Sequence, residues 1–472
     1  MQATSSQNGG QRTAYLHFGS RFPFPVSPQF FGQTFVMGDL TSSASRSDTK
    51  NFIYLRDIRG PMTEGLIGSS AKKLARERFN AEVRVGYGHD MADDMASHVK
   101  ALADEGFRSA LVFHFPVSSD CEYARSLRQA LERTGLLNHS GIFFYLHTNP
   151  DSLYHRPDDP MFHKYHLDMV KASDAVIGVS QAVRDNFVKV RVRDGEGEAS
   201  LDPGKAFVVR NGINPHIYVV RDEKELAEAR KELGLAEGLE RVISFVGRMD
   251  RLKGSDYLIK VLEHYEASSD PKDSATGFVI ATSHVLNIAQ SSKPFKGLMR
   301  MNRLIRENRL KVVLDISKFT RGDPRFRDDV AEILGGFANP RGLTEALTDP
   351  LFAQMYAGMT NIPVQTISDV YLHPSRSEAF GLAVLEAVFG GAYVISTPVG
   401  GIPEIVVDER LGKLVPLDSD KKTFVDRLIG AIRAAEKPKE YDRGGLREYF
   451  GSYTAASMFR QFERIVEEGM RR

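Results

Sequence analysis

Hydrophobic positions in this chain fall in short runs of five to seven residues with little polar alternation. The first series is AYLHF (14–18), SALVFHF (109–115), IFFYLH (142–147), AVIGVS (175–180) and AFVVRNG (206–212). A second follows with VISFVGR (242–248), GFVIAT (277–282), KVVLDI (311–316), DVYLHPS (369–375) and AYVIST (392–397). Runs without alternation predict strands buried on both faces, as in parallel sheets. Between them the apolar spacing turns helical, over 91–105, 121–135, 222–233, 254–266 and 421–435. Strand–helix alternation predicts an α/β protein. The break after NGINPHIY, filled by the charged helix DEKELAEARKELGL, predicts two doubly wound domains, 1–218 and 219–442. A last helix, YTAASMFRQFERIVEEG (453–469), has no strand after it, and residues 443–472 are expected to pack back toward the N-terminal domain. Segments 40–80 and 317–362 give no assignment.

At 472 residues the chain is long enough for two or three domains. A net charge of +1 supplies no basic field for nucleic acid. Cys121 is the only cysteine, which excludes an internal disulfide and a cysteine-based zinc cluster and fits a reducing compartment. The polar N-terminus lacks a signal core, and no apolar run approaches the ~20 residues that span a bilayer. The expectation is a soluble cytoplasmic protein, with peripheral membrane contact and oligomeric state left open.

The densest chemistry lies in SRSEAFGLAVLE (375–386). Glu378 falls at a strand-to-helix turn and Glu386 two turns into the helix. Between them Ala379, Phe380, Gly381 and Leu382 present backbone N–H groups at a helix N-terminus, a natural anion site. A phosphate pocket flanked by two carboxylates suggests a nucleotide-sugar. Arg248 and Lys253, around the turn MDRL, carry charges suited to a diphosphate, against the plainer reading of two surface cations. Glu386 lies among Val384, Leu385, Ala387 and Val388, so a buried carboxylate with partners is expected there. Glu378 also suits a helix cap.

Five segments in order, YLHTN (145–149), ASDAVIGVSQAVRDNF (172–187), VVRNGIN (208–214), VGRMDRLKG (246–254) and PSRSEAFGLAVLEAVFGGAYVISTPVGGIPEIV (374–406), resemble the retaining glycosyltransferases of family 4. The resemblance implies the GT-B fold: two Rossmann-like domains facing across a cleft, acceptor on the first and nucleotide-sugar on the second. It implies that Glu386 binds the ribose, that Glu378 contacts a donor-sugar hydroxyl, and that His147 touches acceptor or donor sugar. Arg248, Lys253 and the N–H groups at 379–382 would hold the diphosphate without a metal or other cofactor. The donor expected is a UDP-sugar, with GDP- and ADP-sugars as alternatives. The family's glycine pair in the first loop is missing here. Gly19 and Gly32 stand apart, and Gly19 is taken as the match, a donor-binding residue by the resemblance. Thr282 and Ser283 stand where the family has a glycine-rich turn.

Weaker signals are Lys293, Lys296, Arg300, Arg303, Arg306, Arg309 and Lys311, interleaved with Leu298, Met301, Leu304 and Ile305. They read as a solvated helix face before an amphipathic membrane helix. Asp418-Ser419-Asp420 has metal-binding spelling but reads better as an N-cap. The rival enzyme class is a nicotinamide-dependent oxidoreductase, on the G-x-G of EVRVGYGHDMADDM (82–95). A nucleotide-sugar-binding protein without turnover is the non-enzyme alternative.

Overall fold

The computed structural model describes residues 12–19, 40, 49–55, 76, 81–85, 91–114, 118–148, 160–194, 197–282, 293–315, 347–360, 362–435 and 447–471. The chain divides into two compact units, with Asn211–Thr454 in the second and Ala455 onward in the first. Unit 1 holds strands β1 (Arg12–Gly19), β2 (Thr49–Leu55), β3 (Glu82–Val85), β4 (Phe107–His114), β5 (Ser140–Leu146) and β6 (Ala175–Gly178). A small hairpin of β7 (Val192–Asp194) and β8 (Gly197–Ala199) precedes β9 (Ala206–Val208). Its helices are α1 (Ala92–Asp104), α2 (Ser118–Arg133), α3 (Pro160–Ala172) and α4 (Gln181–Lys189). The sheet order is β3-β2-β1-β4-β5-β6-β9, with every described pairing parallel.

Unit 2 repeats the plan. Its strands are β10 (Arg241–Val246), β11 (Thr276–Ala281), β12 (Leu310–Asp315), β13 (Tyr356–Thr360), β14 (Val370–His373), β15 (Tyr393–Ser396) and β16 (Gly412–Leu414). They are ordered β13-β12-β11-β10-β14-β15-β16, again parallel. Its longer helices are α5 (Glu223–Glu232), α6 (Ser255–Ala267), α7 (Leu382–Gly390) and α8 (Lys421–Ala434). Neighbours along β10 go to opposite faces. Ile243 and Phe245 join the layer of Tyr257, Leu262 and Phe424, whereas Val242 joins Val279, Val313, Ala229 and Leu233. Two covered faces explain the absence of polar alternation. Each fully buried aliphatic side chain contributes ~1.5–3 kcal/mol relative to exposure.

In both sheets the strand order reverses beside the first strand, between β1 and β4 and between β10 and β14. Such a switch point opens a crevice beyond the carboxyl ends of the strands, where ligands of α/β sheets bind.

All ten expected strands are present, with ends displaced by up to four residues. Beyond these ten the structure has β3, β16, the β7–β8 hairpin, and β2 and β13, the last two from segments without assignment. The dinucleotide reading of 82–95 does not suit this topology. Its strand is β3, at the sheet edge and two strands from the switch point. Gly86 and Gly88, like Gly32 and Ser283, lie outside the described residues. The cationic run is not one helix but two short ones, Lys293–Leu298 and Asn302–Arg306. Leu298, Met301, Leu304 and Ile305 are buried in the core of unit 2, and Arg309 and Lys311 are buried as well, so these apolar residues form no membrane-facing stripe. Among the described residues no helix is long and apolar enough to cross a membrane. The last helix, α9 (Ala455–Gly469), belongs to unit 1, where Phe459 and Phe462 pack on Tyr15 and Phe462 on Tyr145.

Candidate active site

At the unit 2 switch point two turns are locked together. The first, residues 247–254, runs from β10 into α6. Asp250 Oδ1 accepts from the Lys253 N–H at 2.9 Å, and the Gly254 N–H donates to the Arg251 carbonyl at 3.1 Å. Gly254 has φ +73°, and a Cβ there would stand 2.0 Å from the Pro374 carbonyl oxygen. Only glycine lets this turn lie against Pro374. From the other side, the Arg376 N–H donates to the Leu252 carbonyl at 2.7 Å, and Ser375 Oγ to the same oxygen at 2.9 Å. The Arg376 guanidinium donates to both carboxylate oxygens of Asp256, at 2.6 and 3.0 Å, and lies 3.8 Å from the Tyr257 ring centroid. A second glycine closes the clamp. Gly400 has φ +57°, and a Cβ there would fall 1.6 Å from the Glu378 carbonyl oxygen.

The clamp delivers Glu378 to Lys253. The Lys253 ammonium donates to Glu378 Oε1, and His373 Nε2 lies 2.8 Å from the same oxygen. Burial alone would raise the Glu378 pKa; the Lys253 charge and the His373 hydrogen bond outweigh it and bring it down to about 2. Behind the imidazole, His373 Nδ1 is 3.2 Å from the Tyr371 hydroxyl, itself 3.1 Å from the Val246 carbonyl. Burial, then the negative charges of Glu386 and Glu378, push the Tyr371 phenol well up, so it stays protonated. Its one proton serves either acceptor.

Helix α7 starts at Leu382 with Gly381 as N-cap, and the Val384 and Leu385 N–H groups bond to the Gly381 carbonyl. The N–H groups of Leu382 and Ala383 therefore precede the intrahelical ladder, beside the ionised Glu378 turn. Phe380 is buried. The Ala379 carbonyl accepts from the Gly401 N–H at 3.2 Å. Glu386 is 3% exposed and accepts from Gln365 Nε2 at 2.8 Å, the buried and partnered carboxylate expected there. Arg248 sits just past β10, half exposed, 3.2 Å from Asp250. Lys253, Glu378 and the start of α7 are thus brought together, and Arg248 pairs with Asp250. Asp418 pairs with Arg427 at 3.0 Å, and Asp420 caps α8 through the Thr423 N–H, so the DxD spelling is structural.

Unit 1 carries its own cluster at the same end of its sheet. His147 directly follows β5 and is buried, and Gly19 ends β1 in register with His114. His114 Nδ1 is 3.1 Å from His147 Nε2, and His114 Nε2 is 2.9 Å from His17 Nδ1. Burial takes His17 and His147 down to about 3. Burial, then the two neighbouring imidazoles, pulls His114 well below the usual range. All three are neutral at neutral pH.

Residues 358–447 match the model of the glycosyl transferases group 1, a span that includes both glutamates and the Gly400 turn. Over nearly its whole length the chain superposes on Anabaena HepE, solved with UDP-glucose. The TM-score is 0.60 at 14% identity, covering 96% of this chain and 99% of that one. Sucrose-phosphate synthase from Thermosynechococcus elongatus gives 0.56 at 15% identity, with 96% and 98% covered. The fold is GT-B. Curated relatives of this GT-B chain include alpha-maltose-1-phosphate synthase of Mycolicibacterium smegmatis, 24% identical over 58% of each chain. D-inositol 3-phosphate glycosyltransferase of Stackebrandtia nassauensis is 27% identical over 54% of this chain and 48% of its own. The chain thus spans about half the length of the curated relatives it matches.

The sequence reading missed His373, Tyr371 and Gln365 in unit 2, and His17 and His114 in unit 1. A signal was there. The runs AYLHF, SALVFHF, IFFYLH and DVYLHPS each carry a histidine at or near the carboxyl end of the strand.

Proposed function

We propose that this chain is a retaining glycosyltransferase that moves a hexose-type sugar from a nucleoside-diphosphate sugar, with UDP as the first choice of carrier, to a hydroxyl acceptor. The observation that carries this is the Lys253–Glu378–His373 cluster at the start of α7, inside the span that matches the group 1 model. Lys253, Arg248 and the first N–H groups of α7 stabilise the charge growing on the departing diphosphate. One such preorganised donor is worth about 3 kcal/mol. This cationic lining does the work otherwise given to a metal, so none is required. Glu378, ionised and held from behind, accepts a hydroxyl of the donor sugar. Glu386 accepts from the ribose, and Gln365 braces it. Unit 1, through His147, takes the acceptor. Names of the curated relatives put phosphorylated sugars and polyols first in an acceptor screen. We place the reaction in the cytoplasm, in keeping with a sequence whose single cysteine allows no internal disulfide.

A thermal-shift screen of UDP-, GDP- and ADP-sugars tests the donor. At 100 times the dissociation constant a specific ligand adds about 2.7 kcal/mol. Glu386→Ala should lose the shift. No shift with any nucleotide-sugar, or a full shift in that variant, overturns the donor assignment. An absorbance change with nicotinamide cofactors would favour the oxidoreductase, and binding without turnover across acceptors the silent binder.

A further inference from the structure

The three imidazoles of unit 1 form one hydrogen-bonded row across adjacent strands. His17 lies in β1, His114 ends β4 and His147 follows β5. Each link joins an Nδ1 to an Nε2, at 2.9 Å for His17–His114 and 3.1 Å for His114–His147. A neutral imidazole carries one proton and each link needs one. A neutral row therefore has two arrangements. In one, all three protons sit on Nδ1; in the other, all sit on Nε2. The arrangement fixes what the outer nitrogen of His147, Nδ1, presents: an N–H or a lone pair.

The far end of the row is closed. His17 Nε2 is buried and has no hydrogen-bond partner among the described residues. A proton accepted at His147 has no exit there and would leave a charge inside the row. The rings packed against it from its own strands are Tyr145, on His114 and His147, and Tyr15, on His17. Helix α9 adds Phe459 and Phe462 against those tyrosines. The Tyr145 hydroxyl donates to the Val209 carbonyl at 3.1 Å, and burial raises its pKa. None of these groups offers a countercharge, and an uncompensated buried charge is costly.

We propose that His17 and His114 are positioning residues that tie the tautomer of His147 to their own, so that His147 holds the acceptor hydroxyl as a neutral hydrogen-bonding partner and not as its base. The role toward the acceptor rests on the function proposed above; the shared tautomer does not. The attacking hydroxyl then gives its proton to a group outside the row.

Imidazole nitrogen NMR on the full chain, with labelled histidine, tests this between about pH 5.5 and 8.5. The expected result is three neutral rings sharing one tautomer. Two different tautomers in the row, or an imidazolium among the three, overturns the proposal. In His114→Leu the link to His147 is lost and His147 becomes a tautomer mixture. An unchanged His147 spectrum in His114→Leu also overturns it. Should that variant fail to fold, the wild-type spectrum still decides. Transfer kinetics separate the two ideas: an acceptor KM unmoved by His147→Ala sinks the acceptor reading, whatever tautomer the row adopts.

Discussion

Glu378 and the histidine row respond to pH in different ranges. Glu378 is held at about 2, below its ordinary 4.5. Its contribution to stability is complete above about pH 4.5 and fades as pH falls toward 2. His17 and His147 are lowered from 6.5 to about 3, so the unfolded chain binds protons that the folded row refuses. Stability is therefore lost as pH falls below about 6.5, by up to about 1.4 kcal/mol per pH unit for each such ring. Melting followed from neutral pH down to about pH 5 should show this loss before Glu378 titrates. His114→Leu should show a shallower fall, and an equal slope would remove the row as its source. At the same scale, Lys253→Ala should cut turnover about 100-fold or more. The urea midpoint should change far less, because His373 still holds Glu378 at 2.8 Å. Loss of folding instead would make Lys253 structural.

At the scale of elements, the site depends on how closely two turns approach. Gly254→Ala and Gly400→Ala each drive a methyl into a backbone carbonyl, at 2.0 and 1.6 Å. Both should lower turnover and stability together. Gly430, in the middle of α8, has nothing within 4 Å of an added Cβ. Gly430→Ala should stabilise by up to ~1 kcal/mol through helix propensity and leave activity alone. Denaturant midpoints on the three variants check the contrast. The same elements show what the sequence made legible. Strands buried on both faces write continuous apolar runs, so the ten main strands could be read. β2 (TKNFIYL) and β13 (YAGMT) mix polar residues into theirs and could not. Glu378, Glu386 and Lys253 stood out because charges beside a helix start are conspicuous. His373 and His114 did not, because their roles come from cross-strand neighbours that no local pattern records.

At the scale of the molecule, both sheets reverse their strand order beside their first strand. Candidate chemistry collects at that reversal in both: three imidazoles in unit 1, and a lysine, a glutamate and a helix start in unit 2. The units differ in how the chain builds them. Unit 2 takes described residues from one continuous stretch, Asn211–Thr454, whereas unit 1 is completed by α9. Ending the chain after Thr454 should therefore unfold unit 1 and spare unit 2. Hydrogen exchange by segment would show the loss in β1 and β5, which carry Tyr15 and Tyr145 under α9. Equal protection there with and without the helix would contradict this.

That helix also sets a schedule for biosynthesis. The sheet of unit 1 is fully synthesised once Arg210 is made, yet Phe459 and Phe462, which cover Tyr15 and Tyr145, are translated only after Asn211–Thr454 of unit 2. At about 5–20 residues per second the nascent sheet waits roughly 10–50 s with that apolar face uncovered. Unit 2 can close its core as it emerges. The half synthesised first is thus the half finished last, and it is the half in which a nascent-chain chaperone would find its binding face.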